Sequence, residues 1–311
     1  MTNWEGVFPL WKEAGMTSHD CVSQARKLFR MKRIGHTGTL DPEVPGVLPL
    51  CLGRATRLVE YLQDQPKTYE AVMTIGYATD TEDESGTVVE RAERVDVSEA
   101  DVAGALDGFI GTVRQVPPMY SAVKVKGKRL YELARAGMTV ERKPREVQIH
   151  NIELTGFHPD VPYPRASLRI TCSKGTYIRT LCADIGRKLG YPAVMSGLVR
   201  IAAGSIRAEQ CVTFREAEAL AERGELAGKI IPTGEAVSFM PKAVVSDHAL
   251  KAALKGSRLF ARAVRPVEPG ATERGNRRTL YRLHAREEDR FIGIYSHDPE
   301  SDLFIPVKLF V

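Results

Sequence analysis

Strand-like and helix-like segments interleave along this 311-residue chain without a regular strand–helix–strand period. Such a pattern favours an α+β fold with a mixed, largely antiparallel sheet and flanking helices over a doubly wound parallel one. Residues 8–33 read as a short strand, a turn at Glu13-Ala14-Gly15 and a helix that Thr17 or Ser18 can cap. Val22, Ala25, Leu28 and Phe29 recur there at helical spacing, and Arg26, Lys27, Arg30, Lys32 and Arg33 crowd its end, where cations suit the helix dipole. Residues 47–52 are apolar; strands are expected near 69–76, 87–89, 148–157 and 166–173, and helices at 55–62, 98–109 and 177–189, the last closed by Gly190. Ile231-Pro232-Thr233-Gly234 and Phe239-Met240-Pro241 bracket a linker between residues 1–235 and a β-rich module at 242–311. Two strands of that module flank the turn-forming His297-Asp298-Pro299-Glu300-Ser301-Asp302 as a hairpin, and 262–282 could form a long exposed loop.

With 43% hydrophobic residues the chain can bury a large core. No apolar run approaches the roughly 20 residues that span a bilayer, and Met1-Thr2-Asn3-Trp4-Glu5 lacks the basic and apolar regions of a signal peptide, so a cytoplasmic location is expected. Cys21, Cys51, Cys172, Cys182 and Cys211 are scattered and odd in number, which favours reduced thiols, and no Cys or His pairs fall at zinc-ligand spacing. No metal is expected.

The net charge of +5 is unevenly spread. Residues 120–150 hold eight basic side chains (Lys124, Lys126, Lys128, Arg129, Arg135, Arg142, Lys143, Arg145) against three acids, whereas 79–101 holds nine acids against two arginines. A local positive field of this kind attracts polyanions, although a charge run is also what a solvated face looks like.

Residues 35–53, Gly-His-Thr-Gly-Thr-Leu-Asp-Pro-Glu-Val-Pro-Gly-Val-Leu-Pro-Leu-Cys-Leu-Gly, present one carboxylate on a turn. The glycines open backbone conformations closed to other residues, and Pro42 disfavours the helical region for Asp41, which is therefore expected at a loop apex. By itself an aspartate beside proline and glycine is more often a turn residue than a catalytic one.

Four further motifs stand in order with this loop: Gly15-Met16-Thr17-Ser18, Lys67-Thr68-Tyr69 with Thr79-Asp80-Thr81, Pro117-Pro118-Met119-Tyr120-Ser121-Ala122-Val123-Lys124, and Cys172-Ser173-Lys174-Gly175-Thr176-Tyr177-Ile178-Arg179-Thr180-Leu181. In order and spacing they resemble the bacterial tRNA pseudouridine-55 synthases, the TruB family, over roughly residues 8–235. The resemblance implies a pseudouridine-synthase fold and isomerisation of one uridine in the tRNA T loop, with no cofactor. The glycosidic bond breaks, the base rotates, and C5 is rejoined to C1′.

By the same resemblance Asp41 is the catalytic aspartate, attacking C1′ or removing the C2′ proton, and Tyr69 stacks on the target base. Arg179 supplies the counter-charge to Asp41, His36 inserts into the T loop and supports the flipped-out nucleotide, Leu198 lines the base pocket, and Tyr177 belongs to the RNA-binding set. An insertion at about 115–146 closes over RNA, with Lys124, Lys126, Lys128 and Arg129 on phosphates. The module at 242–311 is similar to the small β-barrel RNA-binding domain called PUA. A monomer with no obligate protein partner, acting on tRNA away from membranes and also assisting its folding, is what the family implies. The alternatives are a tRNA-folding chaperone that uses the same cleft without turnover, which the resemblance allows beside catalysis, and an aspartate hydrolase, which would need a metal or a second carboxylate; Glu43 is the only other acid in the immediate loop. Two departures touch loop geometry: Lys12-Glu13-Ala14-Gly15 stands where Lys-Pro-x-Gly is common, and Glu43-Val44-Pro45-Gly46 where Leu-Ala-Thr-Gly is common.

Overall fold

The computed structural model describes residues 4–121, 123–125, 127–138, 140–159, 162–268 and 278–311. Its first strand, β1 (Gly6–Lys12), is almost wholly buried, as an uninterrupted apolar run requires. A turn at Gly15 leads into α1 (Ser18–Leu28), where the Thr17 hydroxyl accepts from the Asp20 amide and the Asp20 carboxylate accepts from the Thr17 amide. This reciprocal box satisfies two donors that a helix start leaves unpaired. β2 (Ile34–His36) and β3 (Gly46–Leu52) follow, both β1 and β2 pairing antiparallel with β3.

After a 3-10 turn (Gly53–Leu58) and α2 (Val59–Asp64) come β4 (Lys67–Ile75) and the small hairpin of β5 (Tyr77–Thr79) and β6 (Val88–Arg91). α3 (Glu99–Leu106), boxed by Ser98 and Asp101, and β7 (Gly111–Gln115) precede the hairpin of β8 (Lys124–Val125) and β9 (Lys128–Arg129) and the short α4 (Leu130–Arg135). β10 (Arg145–His158), β11 (Arg165–Cys172), α5 (Ile178–Leu189), β12 (Ala193–Ala203), β13 (Ile206–Arg207) and α6 (Phe214–Glu222) complete this part.

The first sheet runs β1-β3-β12-β4-β11-β10-β7, with β2 on β3 and β13 on β12. Its neighbours pair antiparallel except at one seam, where β12 meets β3 in parallel through Arg200 and Gly46. One apolar core lies under α3 and α5 against β4, β10 and β11, and a second under α1 and α6 against β1 and β3. Tyr69 and Leu198 pack against both cores, so they stand where the two halves meet.

A second sheet uses β14 (Lys242–Val245), β15 (Leu259–Phe260), β16 (Val264–Pro266), β17 (Thr279–Ala285), β18 (Phe291–Asp298) and β19 (Leu303–Leu309), with α7 (Asp247–Leu254) beside it. Its order, β15-β19-β18-β17-β14-β16, curls into a nearly closed barrel. The expected hairpin forms between β18 and β19. Of the stretch expected as an exposed loop, β16 and β17 take the two ends and 269–277 lie outside the described residues.

The segment expected to be a linker is instead packed: Ala236, Val237 and Met240 are buried in a core shared with Val7, Val47 and Cys51 of the first sheet, Ile294 of the second and Phe310 just after it. These three are covered from both sides, which an exposed connection would not allow, while Phe239 between them faces solvent. All five cysteines are free, and burial pushes their thiols up to about 11 or 12, away from reactive thiolate chemistry.

Candidate active site

Residues 37–45 cross from β2 to β3, and their backbone is held from several sides. The Thr37 amide donates to the Pro49 carbonyl (3.1 Å), and the Val44 amide donates to the Asp41 carbonyl (3.1 Å), closing the turn that carries Asp41. Leu40 and Val44 are buried anchors on either side of it. The buried Ser18 hydroxyl accepts from the Leu40 amide (3.0 Å) and donates to its carbonyl (3.3 Å). Lys12, with no exposed surface, donates to the Pro42 carbonyl (2.7 Å), and so does the Gly15 amide (3.0 Å). The departures at Glu13 and Glu43 point to solvent, while Val44 takes a buried place.

Gly46 is the point where this loop could not tolerate another residue. Its φ is +133°, and a β-carbon would lie 2.3 Å from the Arg200 carbonyl oxygen. The close approach lets β3 meet β12 at the seam, directly beneath the loop.

Arg179, in the first turn of α5, is buried and reaches four acceptors. Its guanidinium bridges the carboxylates of Asp41 (3.1 Å) and Asp83 (3.4 Å) and donates to the carbonyls of Thr81 (3.1 Å) and Tyr120 (2.8 Å). Asp83 is fixed in turn by the Thr81 hydroxyl (2.7 Å) and by the amide of Ser85 (3.0 Å). Thr180, the next residue of α5, donates to Glu82 at 2.6 Å, which locks the acidic loop to the same helix. Tyr177 stands at the helix start, its amide donating to Gln115 Oε1 and its carbonyl accepting from Gln115 Nε2. A cation so surrounded has little freedom, whereas the Asp41 side chain remains 47% exposed. The arrangement offers one accessible carboxylate with its orientation set from below.

Tyr69 lies on β4 between Ile170 of β11 and Arg200 of β12. Burial raises its phenol pKa, the Arg200 charge opposes that rise, and the Asp41 charge adds to it, so the hydroxyl is neutral and within the field of both groups. His36 Nδ1 accepts from the Gly38 amide (3.3 Å), which leaves its proton on Nε2; burial holds its pKa below the usual histidine value. Leu198, one strand over from Ala71, is half-buried.

Asp41, Arg179, Tyr69, His36 and Leu198 therefore gather around one loop and one seam. Of the basic segment, Lys128 is exposed on the β8–β9 hairpin, Lys124 and Arg129 pair in its backbone, and Lys126 lies outside the described residues. The hairpin region is tied to the site through Tyr120, whose carbonyl Arg179 holds, and through the Tyr131 amide on the Ser121 carbonyl (3.1 Å). Arg200, Asp83 and Gln115 were not singled out in the sequence, and Lys12 was noted only as part of a motif, without its place beneath the loop. Asp83 sits among eight other acids and carries no distinguishing mark, but an arginine inside the run Gly197-Leu198-Val199-Arg200-Ile201 was a visible anomaly.

The same fold occurs in a solved H/ACA ribonucleoprotein bound to a substrate RNA containing 2′-deoxyuridine: the TM-score is 0.75 at 25% identity, over 98% of this chain and 85% of that one. A Cbf5–Nop10–Gar1 complex matches at 0.75 and 27% identity, over 98% and 84%. The architecture is thus that of a pseudouridine synthase. Residues 26–178 match the N-terminal domain of the TruB family pseudouridylate synthases, and 179–238 match the tRNA pseudouridylate synthase B C-terminal domain. The tRNA pseudouridine synthase B of Bacillus subtilis (strain 168) is 50% identical over 311 residues, which is 98% of this chain and 97% of that protein. The chain belongs to the TruB family of tRNA pseudouridine synthases, which isomerise uridine to pseudouridine. No helix among the described residues is long and apolar enough to cross a membrane.

Proposed function

We propose that this enzyme isomerises the T-loop uridine of tRNA, with Asp41 as the carboxylate that acts on the ribose and Tyr69 as the face on which the flipped-out base rests. The observation that carries the reading is the Asp41–Arg179 pair: a half-exposed carboxylate bonded at 3.1 Å to a buried guanidinium, on a loop whose carbonyls are held from beneath. Either of two routes suits that carboxylate: attack on C1′, or removal of the C2′ proton to give a glycal. In both, the N1–C1′ bond breaks, the C5–C1′ bond forms, C5 gives up its proton and N1 gains one. No atoms are gained or lost, so neither redox equivalents nor an activated donor enter.

Asp83 serves as the second anchor of Arg179, which keeps the guanidinium aimed at Asp41. His36, neutral and placed at the loop's start, supports the displaced nucleotide, and Leu198 and Tyr177 line the way in. The hairpin carrying Lys124, Lys126, Lys128 and Arg129 closes on phosphates, and residues 242–311 form a PUA-like domain that contacts RNA beyond the T arm. The enzyme works as a monomer in the cytoplasm without an obligate protein partner, unlike the solved complexes that share its fold.

The test is Asp41→Asn with a T-arm stem-loop. RNA binding is retained and pseudouridine, mapped chemically, is lost; unchanged product formation would sink the assignment.

A further inference from the structure

Arg200 is the largest fully buried side chain among the described residues, at 1% exposure. A guanidinium cannot shed its proton, so this is a permanent charge taken out of water, which is costly unless its donors are matched. Among the described residues it has no carboxylate partner within ion-pair distance. It spends its donors on backbone instead: Nε on the Val47 carbonyl (2.7 Å), Nη2 on Gly38 (3.3 Å) and Nη1 on Thr39 (3.4 Å). Gly38 and Thr39 lead directly into Asp41. Its own backbone amide donates to Pro45 (3.2 Å) on the far side of the same loop. Across the sheet it is the registered partner of Tyr69, and it is also the one residue through which β12 meets β3 in parallel.

We propose that Arg200 is a positioning residue of the isomerisation: a single guanidinium holds both shoulders of the Asp41 loop in register with Tyr69, and its uncompensated charge polarises that phenol toward the base. Being buried, it does not touch RNA. It works through the two groups that do. Its donors also explain why an arginine rather than an apolar residue occupies the seam, since Met or Leu there would leave three carbonyls unpaired. The proposal rests on the reading of Asp41 and Tyr69 given above, and it assigns Arg200 a role in their geometry and electrostatics.

Two substitutions separate the components. Arg200→Lys keeps the charge but cannot span three carbonyls; Arg200→Met removes the charge and keeps the volume. Each is compared with the parent for thermal melting, T-arm RNA affinity and single-turnover pseudouridine formation at saturating RNA. With 3-fluorotyrosine incorporated, the Tyr69 phenol is titrated by fluorine resonance, assigned with Tyr69→Phe. Arg200→Lys is expected to fold, to bind RNA within about threefold of the parent, and to lose about a hundredfold in single-turnover rate, the scale of an ångström-sized misplacement. Its Tyr69 titration stays near that of the parent, whereas in Arg200→Met it moves upward. A folded Arg200→Lys that turns over at the parental rate overturns the positioning role, and a Tyr69 titration unmoved in Arg200→Met overturns the polarising one. If Arg200→Met does not fold, the charge component is read from Arg200→Gln, on the same criterion. An active Asp41→Asn would defeat the underlying site reading, while an inactive Asp41→Asn beside a fully active Arg200→Lys would defeat this inference alone.

Discussion

Lys67 begins β4 two residues before Tyr69, and the residue is 5% exposed. It donates to the Gln65 carbonyl at 2.6 Å and to that of Gln63. Burial, and after it the charge of Arg200, lowers its pKa from 10.5 to about 8. A lowered folded value means that the group's contribution to stability is fully present above pH 10.5 and is lost as pH falls through about 8. Urea unfolding of the parent and of Lys67→Met checks this. The parent gains on the variant by about 2 kcal/mol between pH 7.5 and pH 9.5, while the two freed carbonyls cost the variant a pH-independent amount. Residues of this kind were the least legible in the sequence. Asp41 announced itself through Pro42 and its flanking glycines, but nothing local marks Lys67 as buried, and the apolar run around Arg200 does not say what that arginine faces. Their burial arises from strands that are distant in the chain and adjacent in the sheet.

Helix α5 sets where Arg179 stands, and its fit against β12 is close. A β-carbon on Gly186 would lie 2.4 Å from that of Ala193 and 2.8 Å from the Tyr191 carbonyl oxygen. Gly186→Ala must therefore shift the helix or the strand, and a loss of about 1–3 kcal/mol in urea unfolding is expected. The same shift carries Arg179 away from Asp41 and Asp83, so the single-turnover rate should fall by more than RNA affinity does. α5 was plain in the sequence, with helical spacing from residue 177 and a stop at Gly190, which adopts the left-handed conformation. β12 was not expected, although it is eleven residues long and central. Its register slips between Met195 and Gly197 and again between Arg200 and Ala202, so side chains do not alternate cleanly and the period of two is erased. The seam under the active site was hidden for that reason.

At the scale of the whole molecule, the two sheets share a core. Phe310, 4% exposed, packs on Phe291 with ring centroids 5.3 Å apart and joins Val7, Val47 and Cys51 of the first sheet. Arg57 lies over the Phe310 ring and donates to the Leu309 carbonyl at 2.7 Å, and Lys308 donates to the Arg57 carbonyl at 3.0 Å. Phe310→Ala is expected to cost about 3–5 kcal/mol, measured by urea unfolding, with the two sheets still melting in one transition. The strands of the second sheet could be read from alternation and turns, but its docking could not, because the apolar residues of 236–240 look the same in a linker as in a contact.

Arg57 and Leu309 are 252 residues apart in sequence. A ribosome adding roughly 5–20 residues per second makes the second partner about 13–50 s after the first. Throughout that interval Val7, Val47 and Cys51 have been synthesised and Phe310, the last residue of their core, has not. The newborn enzyme thus carries an open apolar patch for much of its own production, and that is when aggregation or a chaperone competes for the surface that Phe310 later closes.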